Sequence, residues 1–441
     1  MSHEANWDML VLGGTVLTME PGAAPIRSGA VAIADGRIAA VGPAEELLEL
    51  APSGEVLNAG NCLILPGLVN THSHLAMTLL RGIADDLPLK QWLEEHIWPT
   101  EKVHLNREVV RLGTELAVAE QLLAGITTTT DMYFFGDEVC EVLAETGMRG
   151  VVAESLIGFP TPRCASTEEM FARQRELIET YHEHPLITPS VAAHAPYSVP
   201  ARDLVKEAEL VESFGVPMQI HLSETRWEVE RMLEEKGVTP VAYLADLGVL
   251  SDRTVAAHCV HVSPEDIEIL AEFEVGVSHN PVSNLKLASG VSPVPALVAA
   301  GVKVGIGTDG AASNNTLNLL RDLQIAALLH KGISGDPTTL PSRSMMEMAT
   351  CRGAEVLGLA DRIGSLTEGR EADLICVAVE GPHTAPMYDP FSHLVFAARA
   401  TDVRHVVVRG RVVVRNRALQ TIDRERIEAQ AREFSETVRS T

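Results

Sequence analysis

From about residue 67 to residue 310 the chain repeats one pattern. A short apolar run stops at a polar, mostly ionisable side chain, and a longer amphipathic stretch follows. Eight such runs end at or near His74, Asp131, Glu154, His194, Glu224, His258, Asn280 and Asp309. The stretches between them, such as Val109 to Leu123, Ala201 to Ser213, Trp227 to Lys236 and Pro264 to Glu272, have helical length and periodicity. Parallel strands need crossovers of this kind, and eight strand–helix units predict a closed (β/α)8 TIM barrel. An open doubly wound sheet is the rival, but no P-loop lysine signature supports its nucleotide-cradling form. In such a barrel the C-terminal mouth carries the chemistry, so each run ending in His, Glu or Asp delivers that group to the mouth.

The two ends of the chain have a different texture. Residues 7 to 65 are short apolar runs broken by glycine turns at Gly13-Gly14 and Asp35-Gly36, and the C-terminal part turns at Arg409-Gly410 between two valine-rich runs. Neither piece could bury much alone. The economical arrangement is one small β-sandwich formed by both chain termini, with the barrel inserted. The expected division is residues 1–66 (β-sandwich), 67–368 (metal-dependent catalytic barrel) and 369–441 (β-sandwich and a closing helix from about Arg424 to Val438).

His72 and His74 are the first chemical landmark. Side chains at i and i+2 of a strand share a side, so both imidazoles can reach one point at the end of Val69-Asn70-Thr71. His221, ending Val216-Pro217-Met218-Gln219-Ile220, offers a third nitrogen, and Asp309, ending the eighth run, an oxygen. Singly, each has a plainer explanation: loop histidines, a hydrogen-bonded core histidine, a helix N-cap aspartate. Together they form an N,N,N,O set suited to one divalent ion with a position left for water. Zinc (Zn2+) is the first choice and iron (Fe2+) the second. Such an ion brings the pKa of water down to about 7.

Glu224 lies just past His221, still at the mouth, and is assigned as a proton shuttle; capping the following helix is its plainer role. His258 would orient the attacking oxygen. Asp309 is both ligand and proton acceptor. His279 is expected to line the pocket without a catalytic role. His182 and His184 precede the fourth strand, on the wrong face of the barrel. No lysine ends the fourth run, where His194 stands, which favours one metal over a lysine-bridged pair.

Composition narrows the partners. A formal net charge of −25 repels phosphate backbones and anionic bilayers, so neither nucleic acid nor membrane is an expected partner. No apolar run is long enough to span a bilayer, and the opening Met1–Asn6 lacks the succession of a secretory signal. Six scattered cysteines without a CxxC pair suggest reduced thiols and a cytoplasmic protein. The motifs PCxxC, HExxH and GxSxG are absent, which disfavours base-flipping zinc deaminases, zincins and α/β-hydrolases.

With these residues in place, the chain resembles the amidohydrolase superfamily over nearly its whole length. The resemblance is carried by Pro66-Gly67-Leu68-Val69-Asn70-Thr71-His72-Ser73-His74, His221-Leu222-Ser223-Glu224-Thr225, Ala257-His258-Cys259, Gly307-Thr308-Asp309 and the return strand after Gly364–Asp373. Within it the chain is similar to the 5′-methylthioadenosine/S-adenosylhomocysteine deaminases, through Leu80-Arg81-Gly82, Trp98-Pro99-Thr100-Glu101, His194-Ala195-Pro196-Tyr197-Ser198, Asn280–Leu287 and Ala312-Ser313-Asn314-Asn315.

The resemblance implies hydrolytic deamination of the adenine ring to an inosine derivative and ammonia. Its substrate would be a small purine nucleoside: methylthioadenosine, S-adenosylhomocysteine or adenosine. It makes His72, His74, His221 and Asp309 the metal ligands, Glu101 the acceptor of both ribose hydroxyls and His194 a second ribose-side contact. Glu224 becomes the proton donor to the ring and His258 the group polarising water. It also implies a homo-oligomer. One departure stands out. Many members carry an arginine near the position of Ala153-Glu154, and Arg163 is the expected substitute for binding a homocysteine carboxylate. Related enzymes acting on guanine, a hydroxypurine or an s-triazine, and a non-catalytic scaffold with the same fold, are the alternatives.

Overall fold

The computed structural model describes residues 7–50 and 54–440. Eight parallel strands form the barrel: β1 (Leu68–Val69), β2 (Ile126–Tyr133), β3 (Arg149–Leu156), β4 (Val191–Ala193), β5 (Met218–Leu222), β6 (Thr254–His258), β7 (Gly276–His279) and β8 (Lys303–Ile306). They pair in chain order. A short strand, Ile187–Pro189, pairs with β3 just ahead of β4. Every residue of β2 and β3 is buried. That burial accounts for their unbroken runs rather than alternation, since helices cover one side and the barrel interior the other.

The ring closes between its first and last strands. Thr71 N–H donates to Ile306 O at 3.1 Å and Asp309 N–H to His72 O at 3.0 Å. Beside them Asn70 pins Thr308 twice, accepting from its N–H at 2.9 Å and donating to its Oγ1 at 2.8 Å. Glycine makes the closure tight. A Cβ on Gly307 would stand 2.9 Å from His72 Cβ and 2.5 Å from Ser278 Oγ. Gly305 to Gly310 also spells G-x-G-x-x-G, but these glycines pack β8 against Thr71 and His72 rather than cradling a phosphate.

Strands from both chain ends make one nine-stranded sheet. The join is Cys62–Pro66 against Leu374–Ala378, antiparallel, with Ile64 opposite Cys376. Val31, Ile33, Leu374, Cys376 and Val407 share one apolar core, while Ala30 and Ala32 face another that includes Trp7 and Leu47. That is the period-two alternation of a strand between two layers. The turn at Asp35-Gly36 is present, both residues having positive φ. Gly13-Gly14 differs from expectation. It is not a turn but a register shift inside the single strand Met9–Val16, with Gly13 at φ +97°. The closing helix runs over Arg424–Ser440. No helix among the described residues is long and apolar enough to cross a membrane.

Candidate active site

Four imidazoles and one carboxylate meet at the barrel mouth. The ring of His72 lies 4.9 Å from that of His74 and 5.0 Å from that of His221. Asp309 Oδ1 lies 3.4 Å from His72 Nε2 and 3.3 Å from His74 Nε2, and His221 Nε2 is 3.3 Å from His74 Nε2. The structure thus brings together His72, His74, His221 and Asp309 from three strand ends.

These groups are poised as ligands. His74 Nδ1 bonds Met132 O at 2.9 Å and His221 Nδ1 bonds His194 O at 2.7 Å. A backbone carbonyl at Nδ1 fixes the tautomer and leaves Nε2 as a lone-pair donor. Buried His72 Nε2 has no hydrogen-bond partner among the described residues. Burial pushes His72 down to about 4, and His221 well below the usual histidine range. At Asp309 burial pushes the other way, but His72 and His74 outweigh it and hold the carboxyl well below its usual range. Burial lowers His74 too, but its hydrogen bond to Asp309 and that carboxylate's charge outweigh it and hold it above the usual histidine range. Imidazole nitrogens and an ionised carboxylate converging on one point fit a divalent cation, which would take the place of the His74 proton.

Asp309 is held firmly. Its Oδ2 accepts from Ser283 Oγ at 2.6 Å and Ser313 Oγ at 2.8 Å, its Oδ1 from Gly310 N–H at 2.7 Å. Asp309 and His258 both have positive φ, +61° and +77°. Non-glycine residues in that region gather at functional sites, where surrounding structure sustains the strain.

His258 stacks beside His221 with ring centres 5.5 Å apart. Its Nδ1 meets Asn284 Oδ1 at 2.8 Å, so the ring nitrogen facing the site is Nε2, which is 3.6 Å from Glu224 Oε2. Glu224 is buried and accepts from Ser289 Oγ at 3.1 Å. Desolvation, then the charge of Asp309, pushes its carboxyl up to about 8. Its backbone N–H is caught by Glu228 Oε2 at 3.1 Å, so the residue that caps the following helix is Glu228, with Thr225, and Glu224 is left free for the pocket.

The cleft above these groups has about 770 Å³ of empty space counting its mouth, and Glu101 and His194 both line it. Glu101 is carried by one helical run, Leu89–Trp92, Leu93–Ile97 and Trp98–His104, whose middle segment is a π turn. Tyr133 donates its hydroxyl to Glu101. Burial pushes Glu101 up to about 7 despite that bond. His194 Nδ1 meets Ser198 Oγ at 2.7 Å, and its ring stands 5.1 Å from that of His221.

Two expectations are corrected. Arg163 does not line the cleft. Its guanidinium pairs with Asp137, lies 3.7 Å from Glu154 and covers the Phe135 ring at 5.1 Å, so its charge is already spent. His279 does not line it either, its Nε2 facing His330 Nε2 at 3.3 Å. The sequence reading gave no role to Asn284, Ser283, Ser313, Tyr133 or Glu228, and placed Asp131 only as a strand end at the mouth. Asp131 Oδ1 accepts from Leu75 N–H at 2.6 Å, fixing the turn after His74. Asn284, Ser283 and Ser313 lie inside motifs already quoted, but nothing in their spacing says what they touch.

The chain is similar to known proteins over nearly its whole length. The amidohydrolase family profile matches residues 63–413, and a short match over 29–53 is to an imidazolonepropionase-like composite domain of bacteria. A 5-methylthioadenosine/S-adenosylhomocysteine deaminase from Syntrophobacter fumaroxidans is 46% identical over 98% of both chains. The fold matches that of an adenosine deaminase from Xanthomonas campestris with bound zinc, with a TM-score of 0.97 and 38% identity over 99% of both chains. Atrazine chlorohydrolase from Arthrobacter aurescens TC1, complexed with zinc, superposes with a TM-score of 0.89 and 27% identity over 97% of this chain and 100% of its own.

Proposed function

The chain belongs to the amidohydrolase family, and on that premise we propose that it deaminates the adenine ring of 5′-methylthioadenosine or S-adenosylhomocysteine, releasing ammonia. One observation carries the reading: the side chains of His72, His74, His221 and Asp309 lie together beside a buried, proton-holding Glu224 in a cleft that also holds the buried carboxyl of Glu101. The Syntrophobacter relative's name supports the substrate.

The residues that would hold the metal are His72, His74, His221 and Asp309. Zinc is the proposed ion, supported by the two zinc-containing neighbours. When bound, it supplies a Lewis acid that makes water a stronger acid near neutral pH. Glu224 delivers its proton to ring N1, making C6 electrophilic. His258, oriented by Asn284, holds the water oxygen in line with C6. Asp309 takes a proton from the water and returns it to the departing amine. Glu101 accepts the two ribose hydroxyls, and His194 closes that side. Glu101 also separates this reading from a triazine or guanine hydrolase, since a ribose-free substrate has no use for a buried carboxylate there.

The test is an ammonia-release screen of zinc-loaded protein across methylthioadenosine, S-adenosylhomocysteine, adenosine, guanine and a triazine. Turnover should be confined to the nucleosides. Glu224→Gln should lose at least about 100-fold in kcat with metal content unchanged. Near-normal turnover in that variant would sink its assignment.

A further inference from the structure

A short stretch after β7 touches each acid–base group of the site. From the helix Pro281–Lys286, Ser283 donates to Asp309 and the Asn284 amide meets His258. Just beyond that helix, Ser289 Oγ donates to Glu224 Oε1 at 3.1 Å. The first two contacts hold a group in place. The third also decides where a proton sits.

The contacts run with a single polarity. Asn284 presents its carbonyl oxygen, which can only accept, so His258 Nδ1 carries the ring hydrogen and Nε2 keeps a lone pair. That lone pair stands 3.6 Å from Glu224 Oε2. A protonated carboxyl can carry its hydrogen on either oxygen. On Oε1, the hydrogen would force the Ser289 hydroxyl to turn away, and the bare lone pairs of Oε2 and Nε2 would face each other. On Oε2, it faces Nε2 and leaves Oε1 to accept from Ser289. Donation then passes in order from Ser289 to Glu224, His258 and Asn284.

The backbone holds that hydroxyl firmly. Ser289 N–H donates to Asn284 O at 2.8 Å, and His261 Nε2 donates to Ser289 O at 2.6 Å. Ala288 before it sits at φ +54°, a conformation that costs a non-glycine residue energy, and Gly290 after it at +126°. A Cβ on Gly290 would stand 2.9 Å from Val260 Cγ1. Ser289 is buried, and among the described residues it is the hydrogen-bond donor to the Glu224 carboxyl.

We propose that Ser289 is a positioning residue that keeps the Glu224 proton on Oε2, beside His258, and steadies the charge left on the carboxyl when that proton departs. This rests on the reading of Glu224 as proton donor and deepens it. In the step, the Oε2–H bond breaks as N1–H forms, and Glu224 becomes a carboxylate. The Ser289 hydrogen bond is then charge-assisted and stronger than before the transfer, so it favours the transition state over the bound substrate. Glu224 recovers a proton from the hydroxyl at C6 as ammonia leaves.

The experiment measures kcat, KM and zinc per chain with methylthioadenosine on zinc-loaded wild type, Ser289→Ala, Ser289→Thr, Glu224→Gln and the double variant Ser289→Ala/Glu224→Gln. Ser289→Ala should lower kcat by about tenfold to a hundredfold, with KM and zinc content held. Ser289→Thr keeps the hydroxyl and should recover most of that loss. On the Glu224→Gln background there is no proton to place, so Ser289→Ala should cost less than about twofold. A loss that repeats in full on that background, a threonine variant as slow as the alanine one, or an alanine variant within about twofold of wild type overturns the role. If wild type releases no ammonia, or Glu224→Gln turns over normally, the reading of the site itself fails and this inference falls with it.

Discussion

A carboxylate that accepts two hydroxyl hydrogens has to be ionised, and burial works against that at Glu101. Its carboxyl is pushed up to about 7, so it is protonated below that pH and an acceptor above it. The expected consequence is a rise of kcat/KM with pH through about 7 for a ribonucleoside. The same profile measured with the 2′,3′-dideoxy analogue should lack the inflection, as should Glu101→Gln with either substrate. At the same scale, Asn284 fixes which nitrogen of His258 faces the substrate. Asn284→Ala should cost about 10- to 100-fold in kcat while metal content, read by elemental analysis, stays constant. The sequence made His72, His74, His221, Glu224, His258 and Asp309 visible because each lies within a few residues of a strand end; the first strand stops at Val69, so His72 and His74 converge from the segment after it and not by the strand parity expected. It could not show that Arg163 is neutralised by Asp137, because a pairing between a loop and the first turn of the helix Gly136–Thr146 leaves no local periodicity.

Elements bring those side chains to one place, and they do so by close approach. Gly113, in the helix Arg107–Leu123, lies under the segment that follows His74; a Cβ there would stand 2.5 Å from Ala76 O. Gly307 does the same for β8 against His72. Gly113→Ala should destabilise the fold by about 1–3 kcal/mol, measured by chemical denaturation. Gly307→Ala should, in addition, lower the zinc retained per chain after dialysis, since it wedges β8 away from His72. Strand and helix positions were legible from pattern, down to Pro264–Glu272. The π turn at Leu93–Ile97 was not, because nothing in that apolar and acidic mixture distinguishes one extra residue per turn. That turn lies just ahead of the helix Trp98–His104, which carries Glu101.

Across the whole molecule, the barrel floor is bound to the terminal sheet by one buried guanidinium. Arg149, at the start of β3 and with no exposed surface, donates to Asp373 at 2.8 Å and to Glu371 at 2.6 Å, and Arg362 joins Glu371 at 2.8 Å. Arg149→Met should cost about 3–5 kcal/mol, because Glu371 and Asp373 keep their burial and lose their main partner. Urea denaturation of wild type and variant would measure it. The joint sheet was foreseeable from two β-rich ends too small to stand alone. Its anchor was not, because the start of β3 reads as an ordinary strand with an arginine at its edge.

The hydrogen bonds that join the first strand to the last, Asp309 N–H to His72 O and Thr71 N–H to Ile306 O, have a temporal meaning. A ribosome releases the chain from its N-terminus, so His72, His74 and His221 emerge long before Asp309. With His72, His74, His221 and Asp309 as the proposed ligands, closing the ring and completing the donor set coincide, and a chelator added to mature protein should speed deuterium uptake first at the amides of Thr71 and Asp309.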